Sequence, residues 1–98
     1  MQSLTALADP TRQRIVEMLS AGAMSSGDIA RRFDISAPAI SQHLRTLREA
    51  RLVRVRAQAQ MRFYELDAEG VTALADWIAQ IRGFWSKKLD ALAEELLR

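Results

Sequence analysis

Two short helices, each with its own start signal and only a few residues between them, constrain this chain more than any other feature. Ser25 is followed by Asp28 three residues on, the spacing of a capping box with Asp where Glu or Gln is usual. The helix it starts is expected to run through Phe33, with Ile29 and Phe33 at i, i+4 spacing facing inward. Asp34 follows, a residue that tolerates the left-handed conformation such a break needs. Ser36 then caps a second helix with Pro38 in its first turn. Ile40, Leu44 and Leu47 recur at i, i+4, i+7 along it and form one buried stripe. That is helix-turn-helix geometry over about 25–50, and such a motif presents its second helix to the DNA major groove.

The flanking segments fit around it. Asp9-Pro10 opens a helix, since Asp is a good N-cap and Pro is tolerated at the first helical position. Ile15, Val16, Met18 and Leu19 follow, with Gly22 as the stop. Leu4 and Leu7 suggest a short helix before it with an apolar face of its own. After Ala50 the period changes from helical to alternating. Val53 and Val55 alternate with Arg54 and Arg56, and Phe63-Tyr64-Glu65-Leu66 is rich in strand formers. A hairpin wing over about 52–66 follows, although Ala57-Gln58-Ala59-Gln60-Met61 between the strands lacks the usual Gly, Asn or Asp. Asp67 caps a long terminal helix over about 67–97, whose apolar set is wider than the one face a helix at the edge of a small domain needs. Trp77, Ile78, Ile81, Phe84, Trp85 and Leu89, with Leu4 and Leu7, are the candidate contacts with a second copy of the chain. Close approach of a partner helix would explain Gly83 in mid-helix, and so would a kink or simple drift. The fold class is mainly α with a small β-hairpin, in one domain spanning residues 1–98.

Charge decides what such a fold meets. The net +2 conceals a gradient: residues 1–30 carry −1 and residues 63–98 carry −3. Residues 31–62 hold eight arginines against two acids, a net of +6. Arginine forks onto phosphates and guanine edges better than lysine does. One such residue alone reads as solvated surface as readily as a contact, but the cluster favours DNA over a protein-binding winged helix, whose interface needs no one-sided charge. The absence of cysteine removes disulfides, thiolate metal sites and thiol redox switches. No apolar run approaches the ~20 residues that cross a membrane, and with no charged-then-apolar leader the chain is expected to be cytoplasmic. A nucleophile with an adjacent base, paired carboxylates in a pocket and a phosphate-binding glycine loop are all missing, which argues against an enzyme.

The assembled order resembles the ArsR-type winged-helix repressors over essentially the whole chain. The carriers are Leu7-Ala8-Asp9-Pro10-Thr11-Arg12, Ile15-Val16-Glu17-Met18-Leu19, Ile29-Ala30, and Ser36-Ala37-Pro38-Ala39-Ile40-Ser41-Gln42-His43-Leu44. Leu47-Arg48-Glu49-Ala50 and Phe63-Tyr64-Glu65-Leu66 complete them. The resemblance implies that the helix beginning at Ser36 is the recognition helix. Ser36, Ala37, Pro38, Ser41, Gln42 and Arg45 then fall opposite its buried stripe. Ser36 and Ser41 would bond phosphates or base edges, Gln42 adenine, and Arg45 guanine or a phosphate. Arg48, Arg54, Arg56 and Arg62 are expected on the DNA backbone. His43, the only histidine, is read as structural or phosphate-contacting rather than as a metal ligand.

The resemblance also carries departures. Metal-sensing relatives place thiolates near Met24-Ser25-Ser26-Gly27-Asp28, where no cysteine stands. The terminal helix offers Asp76, Asp90, Glu94 and Glu95 without a histidine, read as a solvated face, with an all-oxygen calcium or magnesium site as the other reading. Phe84-Trp85-Ser86-Lys87-Lys88-Leu89-Asp90 resembles a non-metal branch of the family, so neither metal nor cofactor is expected, and the effector is unassigned. Arg51 stands where relatives usually place glycine, so that connection either takes another turn or carries strain. The wing tip lacks the family's glycines and arginines, so its minor-groove contact is expected to be weak. The partners implied are double-stranded DNA with a palindromic operator and a second copy of the chain, pairing through the terminal helices so that two recognition helices lie about 34–36 Å apart.

Overall fold

The computed structural model describes residues 1–98. Its elements are α1 (Gln2–Ala6), α2 (Pro10–Leu19), β1 (Met24–Ser25), α3 (Ser26–Ala30), α4 (Ala37–Glu49), β2 (Val53–Gln58), β3 (Met61–Leu66) and α5 (Ala68–Leu96). Each cap read from the sequence operates. The Asp9 carboxylate accepts from the Arg12 backbone N–H at 3.0 Å, Ser25 Oγ from Asp28 at 3.1 Å, and Ser36 Oγ from Ala39 at 3.2 Å. Asp67 accepts from Glu69 and Gly70. These bonds satisfy amide donors that a helix start leaves without an internal partner.

Asp9→Ala is therefore expected to cost about 1 kcal/mol of stability. The Asp9 carboxyl is held below the usual carboxylate range, first by the Arg12 backbone N–H and then by the Arg12 charge. A folded-state value that is lowered means the cap acts in full above the ordinary carboxylate pKa and fades as pH falls through the lowered one. Thermal melts of the two proteins should differ at pH 7 and converge as the pH falls below the ordinary carboxylate range; a constant gap would show that the carboxylate is not the source.

The core is a single cluster. Ile15 and Leu19 of α2, Ile29 of α3, and Ile40, Leu44 and Leu47 of α4 meet Ala6, Ala50, Leu52, Val53 and Leu74. The stripe on α4 is buried as its spacing predicts, with Ile40 and Leu44 at 1% exposure and Leu47 at 0%.

Several expectations need correction. The sheet has three strands in the order β1-β3-β2, not two: Met24 and Ser25 pair antiparallel with Tyr64 and Phe63. Two residues carry no alternation, so β1 has no signature of its own. α3 ends at Ala30 rather than Phe33; Arg32 and Phe33 continue it in tighter i+3 bonds to Ile29 and Ala30. Phe33 still packs against the core, under the Arg14 guanidinium at 5.0 Å. Asp34 is not left-handed; the positive-φ residues other than glycine are Arg51 and Ala59. The long loop expected in the hairpin shrinks to two residues, because Gln58 pairs with Met61. Ala59 takes φ 57° at the first loop position, where hairpin turns of the II′ kind usually place glycine. On α1 the buried face is Ser3 and Ala6, with Leu7 just beyond it, half-buried and packed on the core, while Leu4 is exposed.

Arg51 resolves the question its sequence position raised. The turn is the one glycine would make. The Leu52 N–H bonds the Leu47 carbonyl and the Arg51 N–H bonds the Arg48 carbonyl, each at 3.0 Å, with Arg51 at φ 61°. This is a Schellman cap with arginine in the left-handed position. It is strained, and the buried Leu47–Leu52 pair and a 2.9 Å bond from the Asp67 N–H to the Leu52 carbonyl hold it in place.

Candidate nucleic-acid interface

α4 lies across the domain with its stripe inward, which leaves Ser36, Ala37, Pro38, Ser41, Gln42, Arg45 and Arg48 exposed. Their spacing is that of one helix face, from the first turn to the last. The Ser36 oxygen already accepts a cap bond, which leaves its hydroxyl hydrogen and one lone pair for a ligand. His43 sits half-buried at the border between this face and the core, with its Nδ1 3.1 Å from Arg12 Nη1.

Beside α4, β2 supplies a second wall. Arg45, Arg48 and Arg54 converge with Glu49, Asp67, Val53 and Val55 around a groove of about 520 Å³. The arginines differ in how free they are. Arg45 Nε pairs with Glu49 at 3.2 Å one helical turn on, in an i, i+4 relation already legible in the sequence. Arg54 Nε and Arg56 Nε both reach Glu65 Oε1, at 3.0 and 3.5 Å. Arg56 also donates to Gln58 at 2.7 Å and lies 5.6 Å from the Phe63 ring centre. Such exposed pairs are worth about 0–1 kcal/mol, so a phosphate can replace the carboxylate. Arg48 and Arg62 have no ion-pair partner.

Register separates the wing arginines. Arg54 pairs with Glu65 and Arg56 with Phe63 across the strands, whereas Arg62 pairs with Ala57. Alternation along a strand puts Arg62 on the opposite face of the ribbon from Arg54 and Arg56. The eight-arginine segment is therefore not one surface. The structure brings Arg45, Arg48 and Arg54 together, binds Arg56 to the wing, and sets Arg62 apart near the hairpin turn. Glu65 and Arg12 contact candidate residues in ways that sequence reasoning missed. The role of Glu65 follows from the hairpin register, and that of Arg12 from a contact 31 residues away in the chain.

α5 supplies the other candidate surface. Leu74 is its last buried residue, and every residue from Ala75 onward is exposed. The helix extends the molecule to 66 × 26 × 21 Å. Ile78, Ile81, Trp85, Leu89, Leu92 and Leu96 continue from buried Leu74 at steps of three and four, as one stripe with Trp77 and Phe84 at its side. Phe84 and Trp85 meet edge to face at 5.8 Å. A Cβ at Gly83 would touch nothing within the chain. No helix is long and apolar enough to cross a membrane.

Comparison with known proteins gives this geometry its family. The pattern described as a helix-turn-helix domain matches residues 7–56. The chain is 43% identical over 89 residues to the HTH-type transcriptional regulator Rv2034 of Mycobacterium tuberculosis, covering 91% of this chain and 80% of that protein. It is 39% identical over 82 residues to the transcriptional repressor SdpR of Bacillus subtilis, covering 84% and 88%. A crystal structure of an ArsR family transcriptional regulator superimposes with a TM-score of 0.76 at 29% identity, over 87% of this chain and 88% of that one. A helix-turn-helix with an exposed second helix, an arginine-lined groove, an antiparallel wing and this similarity along most of the chain are one consistent set, and the protein belongs to the ArsR-type winged helix-turn-helix family of DNA-binding transcriptional regulators.

Proposed function

We propose that the chain is a dimeric repressor that reads a palindromic operator through α4. The observation that carries this is the exposed face of α4, from Ser36 to Arg48, opening beside a groove walled by Arg45, Arg48 and Arg54. On this reading Ala37, Pro38, Ser41, Gln42 and Arg45 meet base edges in the major groove. Ser36, His43, Arg48, Arg54, Arg56 and Arg62 meet the phosphate backbone. Arg62 reaches its phosphate from the other side of the wing than Arg54 does. Pairing of α5 stripes across a two-fold axis sets two α4 helices one helical turn of DNA apart, about 34–36 Å. Repression is the activity in the name of SdpR, which is 39% identical to this chain. The reading calls on no metal or cofactor, since there is no cysteine to supply thiolates and the acids of α5 have no histidine beside them. Regulation would act through the angle between subunits, which changes the spacing without touching the DNA face.

The test is binding to the promoter upstream of the protein's own gene, against unrelated DNA, at two salt concentrations. Selective binding that weakens steeply with salt is the expected result; equal, weak binding to both would leave a protein-interaction module as the better reading. Arg45→Ala should weaken specific binding by about 1–3 kcal/mol and relax one base-pair preference. Arg62→Ala should weaken all sequences alike and flatten the salt slope. The same effect from both would make Arg45 a phosphate contact.

A further inference from the structure

One guanidinium joins three elements of this domain. Arg12, in the first turn of α2, donates from Nε to the carbonyl of Ala6, the last residue of α1, at 2.6 Å. Its own backbone N–H is held by the Asp9 carboxylate. From Nη1 it reaches Nδ1 of His43 on α4 at 3.1 Å, across 31 residues of chain. A guanidinium has five donors and no acceptor, and it stays charged at any pH a protein tolerates. The Nδ1 atom must therefore accept, and a ring nitrogen that accepts carries no proton. The ring proton is left on Nε2, as the partner at one nitrogen dictates the state of the other. Nε2 makes no hydrogen bond within the chain, and no unpartnered side-chain nitrogen is buried, so it reaches solvent. His43 lies on the border between the core stripe of α4 and the exposed face of Ser41, Gln42 and Arg45. A backbone strand passing along that border meets a fixed N–H donor.

We propose that Arg12 is a positioning residue for DNA binding: it touches no DNA but locks His43 as the Nε2–H tautomer, aimed at a backbone phosphate at the rim of the recognition helix. The inference rests on the reading of α4 as the DNA-contacting helix. It also makes the end of α1 part of the same support, because one side chain holds Ala6 and His43 together. Displacement of α1 would withdraw a donor from the DNA side without moving α4.

The chain has one histidine, so a long-range nitrogen–proton NMR correlation reports its tautomer without ambiguity. The wild-type protein should show the Nε2–H form alone. Arg12→Ala should give a mixture of tautomers and lower operator affinity about tenfold, the scale of one charge-assisted hydrogen bond. Arg12→Lys, which still offers a donor, should recover part of both. His43→Ala should lose as much affinity, and the double variant should bind no more weakly than His43→Ala, since the two residues act as one unit. A wild-type spectrum of the Nδ1–H form would overturn the proposal, and so would affinity losses that simply add in the double variant. Wild-type protein that shows the Nε2–H form yet selects no operator would overturn the phosphate role together with the DNA reading beneath it.

Discussion

Trp85→Glu combined with Leu89→Glu is expected to give a folded monomer whose operator affinity is lower by a hundredfold or more. The two side chains sit one turn apart on the α5 stripe, 58% and 61% exposed, and neither belongs to the core cluster. Their loss should leave the folded monomer alone. In a two-fold interface each would be buried twice. Burial of a large apolar side chain is worth about 1.5–3 kcal/mol, and a carboxylate in its place adds a desolvation cost. The summed effect would shift a dimer built on this stripe far toward monomer. A monomer holds one recognition helix and loses the second half-site. Sedimentation, circular dichroism and operator binding on the same sample decide the matter. A variant that stays dimeric and binds as the wild type does would remove α5 as the interface. A variant that is monomeric yet binds fully would remove the need for two half-sites.

Gly70→Ala should be the most damaging single methyl group in the domain. Gly70 lies in the first turn of α5, and a Cβ there would stand 1.6 Å from the Arg51 carbonyl oxygen and 2.6 Å from its carbon. Both are backbone atoms, so no rotamer change relieves the clash. The cap of α4 or the start of α5 must shift, and Leu52, Asp67 and Leu74 lie along that path. A cost of about 3 kcal/mol, at the upper end of overpacking, would lower the melting temperature by roughly 15 °C in a domain this small. Arg51→Gly acts on the same corner with the opposite sign. It relieves a left-handed arginine at φ 61° and should add about 1 kcal/mol. A Gly70→Ala protein that melts with the wild type would show that this corner yields more easily than its geometry implies.

Both surfaces carry signals at different distances along the chain. The helix starts are local: Asp9, Ser25, Ser36 and Asp67 each bond an amide two or three residues on, so spacing alone reveals them. Ser25 and Asp28 form half of the expected box, because the Asp28 carboxylate turns to Arg31. The α4 stripe is equally local, since three-and-four spacing has one meaning on a helix of thirteen residues. The Arg45–Glu49 pair was within reach of the same reasoning. The wing was visible as alternation, but its register was not, and a shift of one residue exchanges the faces of a strand. For that reason the sequence groups Arg62 with Arg54 and Arg56 and gives no sign of Glu65 between those two.

The order of elements, the helix-turn-helix, the inward face of α4 and the surplus apolar stripe of α5 are all legible in the chain, because caps and periodicity act within a turn or two of it. Folding in three dimensions adds Met24 and Ser25 as a third strand, brings Arg12 to His43, sets Gly70 against the Arg51 carbonyl, and selects which arginines share a groove. Each of those depends on residues distant in sequence brought together by the common core, and no local rule specifies where two such segments will meet.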